Sequence, residues 1–171
     1  MAIVKASFTR RKEGAKASIR YIMHRPGRDG ARMTRTLFGS DGQTSKQQAY
    51  EVIDHASKGS VFFRFAISPD PNQEDTQRDL HLREIARQTM NTLEEQSGKH
   101  VEWLGAVHDD HAAHRHVHVL AIVQGRLNST DLKALTRTAT AASREQRSER
   151  DQTLDHKQQR QREEEQWDLQ Q

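Results

Sequence analysis

Two short apolar runs, residues 101–107 and 117–123, flank a polar stretch, and together they hold five of the chain's ten histidines. Valine-rich runs of this length separated by a polar segment predict two antiparallel strands joined by a turn. A strand sends alternate side chains to the same side, so His116 and His118 share one face while Val117 points to the other. His108, at the end of the first run, can then lie opposite that pair. Three neutral imidazoles converging on one point are a donor set for a divalent metal, with positions left open for water or substrate. Asp109 and Asp110 follow His108 directly and are candidates to orient the rings. His111 and His114 fall in the turn and need no role beyond solvation. A lone His-x-His on a strand is more often a surface pair; the facing His108 is what favours metal binding. By itself the three-histidine set points to zinc or another transition metal.

Charge is unevenly distributed. The chain as a whole carries a formal net charge of only +3. Its first 40 residues, however, hold ten cationic side chains (Lys5, Arg10, Arg11, Lys12, Lys16, Arg20, Arg25, Arg28, Arg32 and Arg35) against Glu13 and Asp29. Segregation of this kind points to a polyanionic partner, most often nucleic acid. There is no cysteine, which excludes disulfides and thiolate metal sites and makes the reducing cytoplasm the expected location. No apolar run approaches the ~20 residues of a membrane span, and no signal-peptide core opens the chain, so membrane insertion is not expected.

With 33 % hydrophobic residues, the apolar positions must be spent on defined strands and helix faces. Residues 2–9 predict a first strand. Residues 14–24 have helical spacing, with Ala15, Ile19, Ile22 and Met23 on the apolar side, and stop at Arg25-Pro26-Gly27. A short strand is expected over 33–38, closed by Gly39-Ser40-Asp41-Gly42, then a helix over 45–56. Residues 61–68 are the strongest strand, rich in aromatic and β-branched side chains. Residues 74–96 predict the longest helix, with Leu80, Leu82, Ile85, Ala86, Met90 and Leu93 at three- and four-residue steps. From Asp131 a helix begins amphipathic and then loses its apolar face, and 143–171 is expected to be a solvated, frayed helix. The order predicts an α+β fold: a mainly antiparallel sheet with helices packed on one face, in a domain of residues 1–128 followed by a polar helical extension over 129–171. The uncovered face would then be where the histidines and the basic N-terminal residues meet a ligand.

The chain has two tyrosines. Tyr21 lies among Lys16, Arg20, His24 and Arg25; Tyr50 falls near the inward side of the second helix. A phenol is a weak nucleophile at neutral pH because it ionises near pH ~10. Cationic neighbours favour its attack on phosphorus by stabilising phenoxide, and a metal does so by polarising the phosphate. A helical tyrosine is usually a packing residue, so Tyr21 with its basic flanks is a candidate rather than a conclusion.

Three stretches, in order, resemble the relaxase (mobilisation nuclease) family of the HUH endonuclease superfamily, particularly the P-type plasmid mobilisation and T-DNA border nucleases. The segment from Ile19-Arg20-Tyr21-Ile22 to Gly27 is similar to the family's first motif, whose tyrosine becomes covalently attached to DNA. Phe65-Ala66-Ile67-Ser68 resembles the second, a strand ending in a serine that contacts DNA. His108-Asp109 with His116-Val117-His118 resembles the third, which holds one divalent metal. The resemblance spans roughly residues 1–128. The gap between His108 and His116 is about one residue longer than the spacing associated with close relatives, which leaves His114 as an alternative ligand.

The resemblance implies site- and strand-specific nicking of single-stranded or locally melted DNA at a transfer origin, in plasmid mobilisation or conjugative transfer. Tyr21 would form a 5′-phosphotyrosyl bond, with magnesium or manganese on His108, His116 and His118. Lys16, Arg20, Arg25, Arg28 and Ser68 would meet the DNA. Accessory DNA-binding proteins and a transfer machinery are the partners it implies. A general base for Tyr21 is not evident, with Asp70, Asp109 and Asp110 as candidates. Two other readings compete: a rolling-circle replication initiator or transposase of the same superfamily, which commonly places its tyrosine after the His-x-His pair, and a non-catalytic basic DNA-binding module. No tyrosine follows His118, which weighs against the initiator.

Overall fold

The computed structural model describes residues 1–110 and 114–169. Six strands form one antiparallel sheet: β1 (Ile3–Thr9), β2 (Leu37–Gly39), β3 (Gly42–Thr44), β4 (Ser60–Ser68), β5 (Glu102–His108) and β6 (His116–Gln124), in spatial order β1-β4-β6-β5-β2-β3. Four helices accompany it: α1 (Lys12–His24), α2 (Lys46–Asp54), α3 (Leu82–Ser97) and α4 (Ser129–Asp168). The expected α+β class and the antiparallel sheet are both present. Local chemistry sets several boundaries. Ser45 and Gln48 form a reciprocal capping box at the start of α2, as do Asn128 and Asp131 at the start of α4. Gly98, at φ 67, ends α3 in the left-handed conformation that glycine adopts without strain. The turn expected to close the third element instead folds back as the β2–β3 hairpin, Gly39 pairing with Gly42.

The helices do not share one face of the sheet, contrary to the expectation from their order. Phe63, Phe65, Ile67, Val117, Val119, Ala121 and Val123 pack against α3 and α4, whereas Phe62, Leu104, Ala106, Leu120 and Ile122 pack against α1 and α2. The reason lies in the central strands. Val61-Phe62-Phe63 in β4 and Val119 to Val123 in β6 hold apolar residues in succession rather than in alternation, and such strands need cover on both sides. The α1 side is therefore a second core, and the histidines lie at its margin rather than on an open face.

One other expectation changes. The helix predicted from residue 74 begins at Leu82. Glu74 and Asp75 are buried and spend their carboxylates on backbone N–H groups and a cation: Glu74 accepts from Asp70 N–H, and Asp75 accepts from Leu80 N–H and from Arg115. Acidic side chains that bond nearby backbone compete with helix formation in this way. Beyond residue 128, the first turns of α4 are packed and its later turns are not. Ala134, Leu135, Ala139, Ala142 and Ser143 are buried against the α3-side core, and Arg147 is clamped to Asp79, while residues 151–169 are exposed. Among the described residues, no helix is long and apolar enough to cross a membrane.

A sheet covered on both sides makes a specific demand on β4. Phe62 is 1 % exposed on the α1 side, so Phe62→Ala should destabilise the protein by about 3–5 kcal/mol in urea melts, as Phe65→Ala on the opposite side should. A sheet covered only by α3 and α4 would tolerate the first change.

Candidate metal centre and nucleophile

Strand register assembles the histidines. His108 pairs with His116 and Ala106 with His118 across β5 and β6, so the three rings project from one end of the sheet on the α1 side. Ring centroids are 4.5 Å apart for His108 and His118, 4.8 Å for His116 and His118, and 5.2 Å for His108 and His116. One nitrogen from each ring lies within 4.8 Å of the others. Gly105 permits the close pairing behind them, since a Cβ there would stand 2.9 Å from the His118 carbonyl oxygen.

Hydrogen bonds decide which nitrogens are available. His108 is fully buried, and its Nε2 lies 2.7 Å from the carbonyl of Ile22. A carbonyl only accepts, so Nε2 carries the proton and Nδ1 keeps its lone pair. That Nδ1 is buried without a hydrogen-bond partner. In the same way His116 donates from Nδ1 to the His114 carbonyl at 3.1 Å, which turns its Nε2 toward the Nε2 of His118, also 3.1 Å away. Fixing one ring nitrogen on a backbone carbonyl while the other faces the cluster is how metal-binding histidines are oriented. The cluster could hold a metal ion, and an orphaned lone pair buried at its centre fits a cation better than it fits an empty core. His114 is exposed, with its carbonyl rather than its ring engaged; it is not in the cluster. His111 lies outside the described residues.

Both flanking imidazoles favour their neutral form. Burial pushes His108 down to about 4, with the Ile22 bond opposing and Arg35 reinforcing the shift. Burial likewise lowers His118 to about 3, aided by the two neighbouring histidines and by Arg25 and Arg35.

The nucleophile candidate is adjacent. Tyr21 is 48 % exposed on α1, its ring edge-on to His118 with centroids 5.9 Å apart, and the Arg25 guanidinium lies 5.5 Å from the tyrosine ring. Tyr50 is elsewhere, its hydroxyl accepting from Arg20 at 3.2 Å.

The end of α1 is fastened to the histidines directly. The Tyr21 carbonyl accepts from Arg25 N–H, the Ile22 carbonyl from His108, and the Met23 carbonyl from Arg35 N–H. The Arg35 guanidinium donates to the Arg25 carbonyl at 2.8 Å and to both oxygens of Asp110 at 3.0 and 3.1 Å. Asp110 thus braces Arg35 rather than bonding an imidazole. Although burial pushes the other way, Arg35 holds the Asp110 carboxyl below the usual range. Asp109 is exposed and engages through its carbonyl, which accepts from Arg78. Asp70 accepts from the Met1 ammonium and from Asn72 N–H.

The expected DNA-contacting residues divide. Ser68 ends β4 on the histidine side, one side-chain step beyond Ala66, the partner of His118. Arg25 stands beside Tyr21, and Arg28 is exposed in the turn that follows. Lys16 is instead paired with Asp54 at 2.7 Å, and Arg20 points to Tyr50. Two cations outside that set are Lys5, expected only as part of the basic N-terminal segment, and Arg64, which the sequence did not single out. They line a groove of about 590 Å³ between α1 and the β1–β4 surface, which Ser7, Ser18, Tyr21 and His118 also line. Strand alternation was the available signal, since each lies on the same side of its strand as the histidines.

Comparison with protein-family models, with curated proteins and with solved structures finds no match.

Two outcomes follow from this site. Arg35 is buried, its side chain 6 % exposed, so Asp110→Ala should leave an unpaired cation and cost about 3–5 kcal/mol in chemical denaturation. The histidines add a pH dependence. A His108 held near 4 when folded and near 6.5 when unfolded makes no difference to stability above pH ~6.5, and the unfolded chain gains as pH falls from there toward ~4. Urea melts should therefore show a loss near pH 5 of about 2 kcal/mol from His108 alone.

Proposed function

We propose that the protein is a DNA strand transferase of the relaxase type, which nicks one strand at a transfer origin through a phosphotyrosyl intermediate. The observation that carries this reading is the placement of Tyr21 against His118, on the same side of the sheet as an imidazole cluster suited to a cation. A helical tyrosine retained for packing would have its ring buried, whereas this one is half exposed at the mouth of a groove lined by Lys5 and Arg64.

The DNA strand lies along that groove, its phosphates met by Lys5 and Arg64 on one side and by Arg25 and Arg28 on the other. Bound at His108, His116 and His118, a divalent cation, magnesium or manganese by resemblance and zinc by donor type, would supply Lewis-acid stabilisation to the non-bridging oxygens of the scissile phosphate. The Tyr21 oxygen attacks phosphorus, forming a phosphotyrosyl bond as the bond to the 3′ oxygen breaks. The phenolic proton leaves to solvent and the 3′ oxygen takes one up. Arg25 favours this step by stabilising phenoxide character. The phosphotyrosine retains the energy of the ester, so the same site can rejoin the strand. Accessory DNA-binding proteins and a transfer machinery belong to this reading as partners, and the cytoplasm as its location.

Incubation with manganese and a labelled single-stranded oligonucleotide carrying the cognate nick site should give a covalent protein–DNA adduct that survives denaturing electrophoresis. Tyr21→Phe should abolish it, with Tyr50→Phe retaining it. An adduct lost only in the Tyr50 variant would move the nucleophile to α2, and no adduct with any single-stranded substrate would remove the reading.

A further inference from the structure

β1 is an edge strand. It pairs with β4 on one side, and the backbone groups along its other side face away from the sheet. Five of its seven residues are exposed, among them Ile3 at 55 % and Phe8 at 56 %. Exposed edges are normally guarded by proline, a bulge, several charges or a covering element, because they are templates for another strand. Here Lys5 is the strand's one charge, and its pairing with β4 is continuous from Ile3 to Thr9.

We propose that this edge is an interface for a second copy of the chain, with β1 pairing antiparallel to its counterpart about a two-fold axis through Ala6. The strand's own sequence supports that occupant. Val4, Ala6 and Phe8 pair with Ile67, Phe65 and Phe63 and share their face, while Ile3, Lys5, Ser7 and Thr9 take the other. With the axis at Ala6, each Val4 lies opposite the second copy's Phe8, and the two Ala6 residues meet. The apolar row then runs unbroken across the junction, and cross-strand pairs of this kind are what stabilise a sheet. On the other face Lys5 lies opposite Ser7 and Ile3 opposite Thr9, so no like charges oppose each other.

Neighbouring registers are worse. An axis at Lys5 sets two ammonium groups against each other, and an axis at Ser7 sets Val4 against Arg10. The contact is isologous, the commonest symmetry for identical subunits. An axis perpendicular to the sheet keeps α1 of both copies on one side, so two grooves open on a shared face. A single strand pair buries little area, which places the association in the weak, concentration-dependent class below ~1,200 Å². This pairing is independent of the nicking chemistry.

The chain has no cysteine, which permits a direct test. Directly opposed residues in antiparallel strands have Cα atoms about 4.5–5.5 Å apart, within disulfide range. Ala6→Cys should therefore cross-link to itself under mild oxidation, giving a dimer on a non-reducing gel. Ser7→Cys, whose counterpart is offset along the strand, should cross-link far less. In sedimentation, the unmodified protein should associate as concentration rises. Ala6→Lys, which opposes two cations on the axis, should weaken that association about tenfold or more with an unchanged circular-dichroism spectrum. A protein that stays monomeric, an Ala6→Cys variant that does not cross-link, or equal cross-linking at positions 6 and 7 would each overturn the proposal.

Discussion

The candidate site depends on how the last turn of α1 is terminated. A helix leaves its final carbonyls without intrahelical partners, and most helices satisfy them with water or a glycine turn. α1 satisfies them with the site itself: His108 takes the Ile22 carbonyl and the Arg35 backbone takes that of Met23. The residue before Ile22 is Tyr21. The same bond that sets the tautomer of His108 therefore sets the distance from the imidazole cluster to the helix turn carrying the phenol. Breaking it would both unseat the helix and remove the constraint that leaves His108 Nδ1 facing its neighbours.

Arg35 extends this constraint into the β5–β6 connection. Its guanidinium is nearly buried, between carbonyls at the end of α1 and the carboxylate of Asp110. A cation at a helix C-terminus is favoured by the dipole, and a buried cation is stable only when paired. Arg25 and Arg35 also raise the local positive potential, which together with burial keeps His118 neutral. The result is a group of uncharged imidazole donors beside two guanidiniums, that of Arg35 paired with Asp110.

Much of this was legible in the residues. The strand pair carrying the histidines, the shared face of His116 and His118, the facing His108, and the helix bearing Tyr21 all follow from period-two and period-3.6 patterns, which are local properties. The two-sided sheet was also written in the sequence, in the unbroken Val61-Phe62-Phe63 run, although element order points to a single covered face. The helix expected from residue 74 failed because Glu74 and Asp75 find partners in backbone and in Arg115, forty residues on from Asp75. Periodicity carries no information about such partners. The pairing of Lys16 with Asp54 was hidden for a similar reason, because that carboxylate lies on a different helix.

The sequence by itself determined which elements form and which side chains share a face, because strand and helix geometry repeat within a few residues. The tertiary fold decided what those faces meet. It set Tyr21 beside His118, spent Asp110 on Arg35, left Lys5 and Arg64 in a groove, and left β1 at an edge. Each depends on bringing together groups tens of residues apart, where packing of two cores and the need to partner every buried charge and carbonyl outweigh local preference.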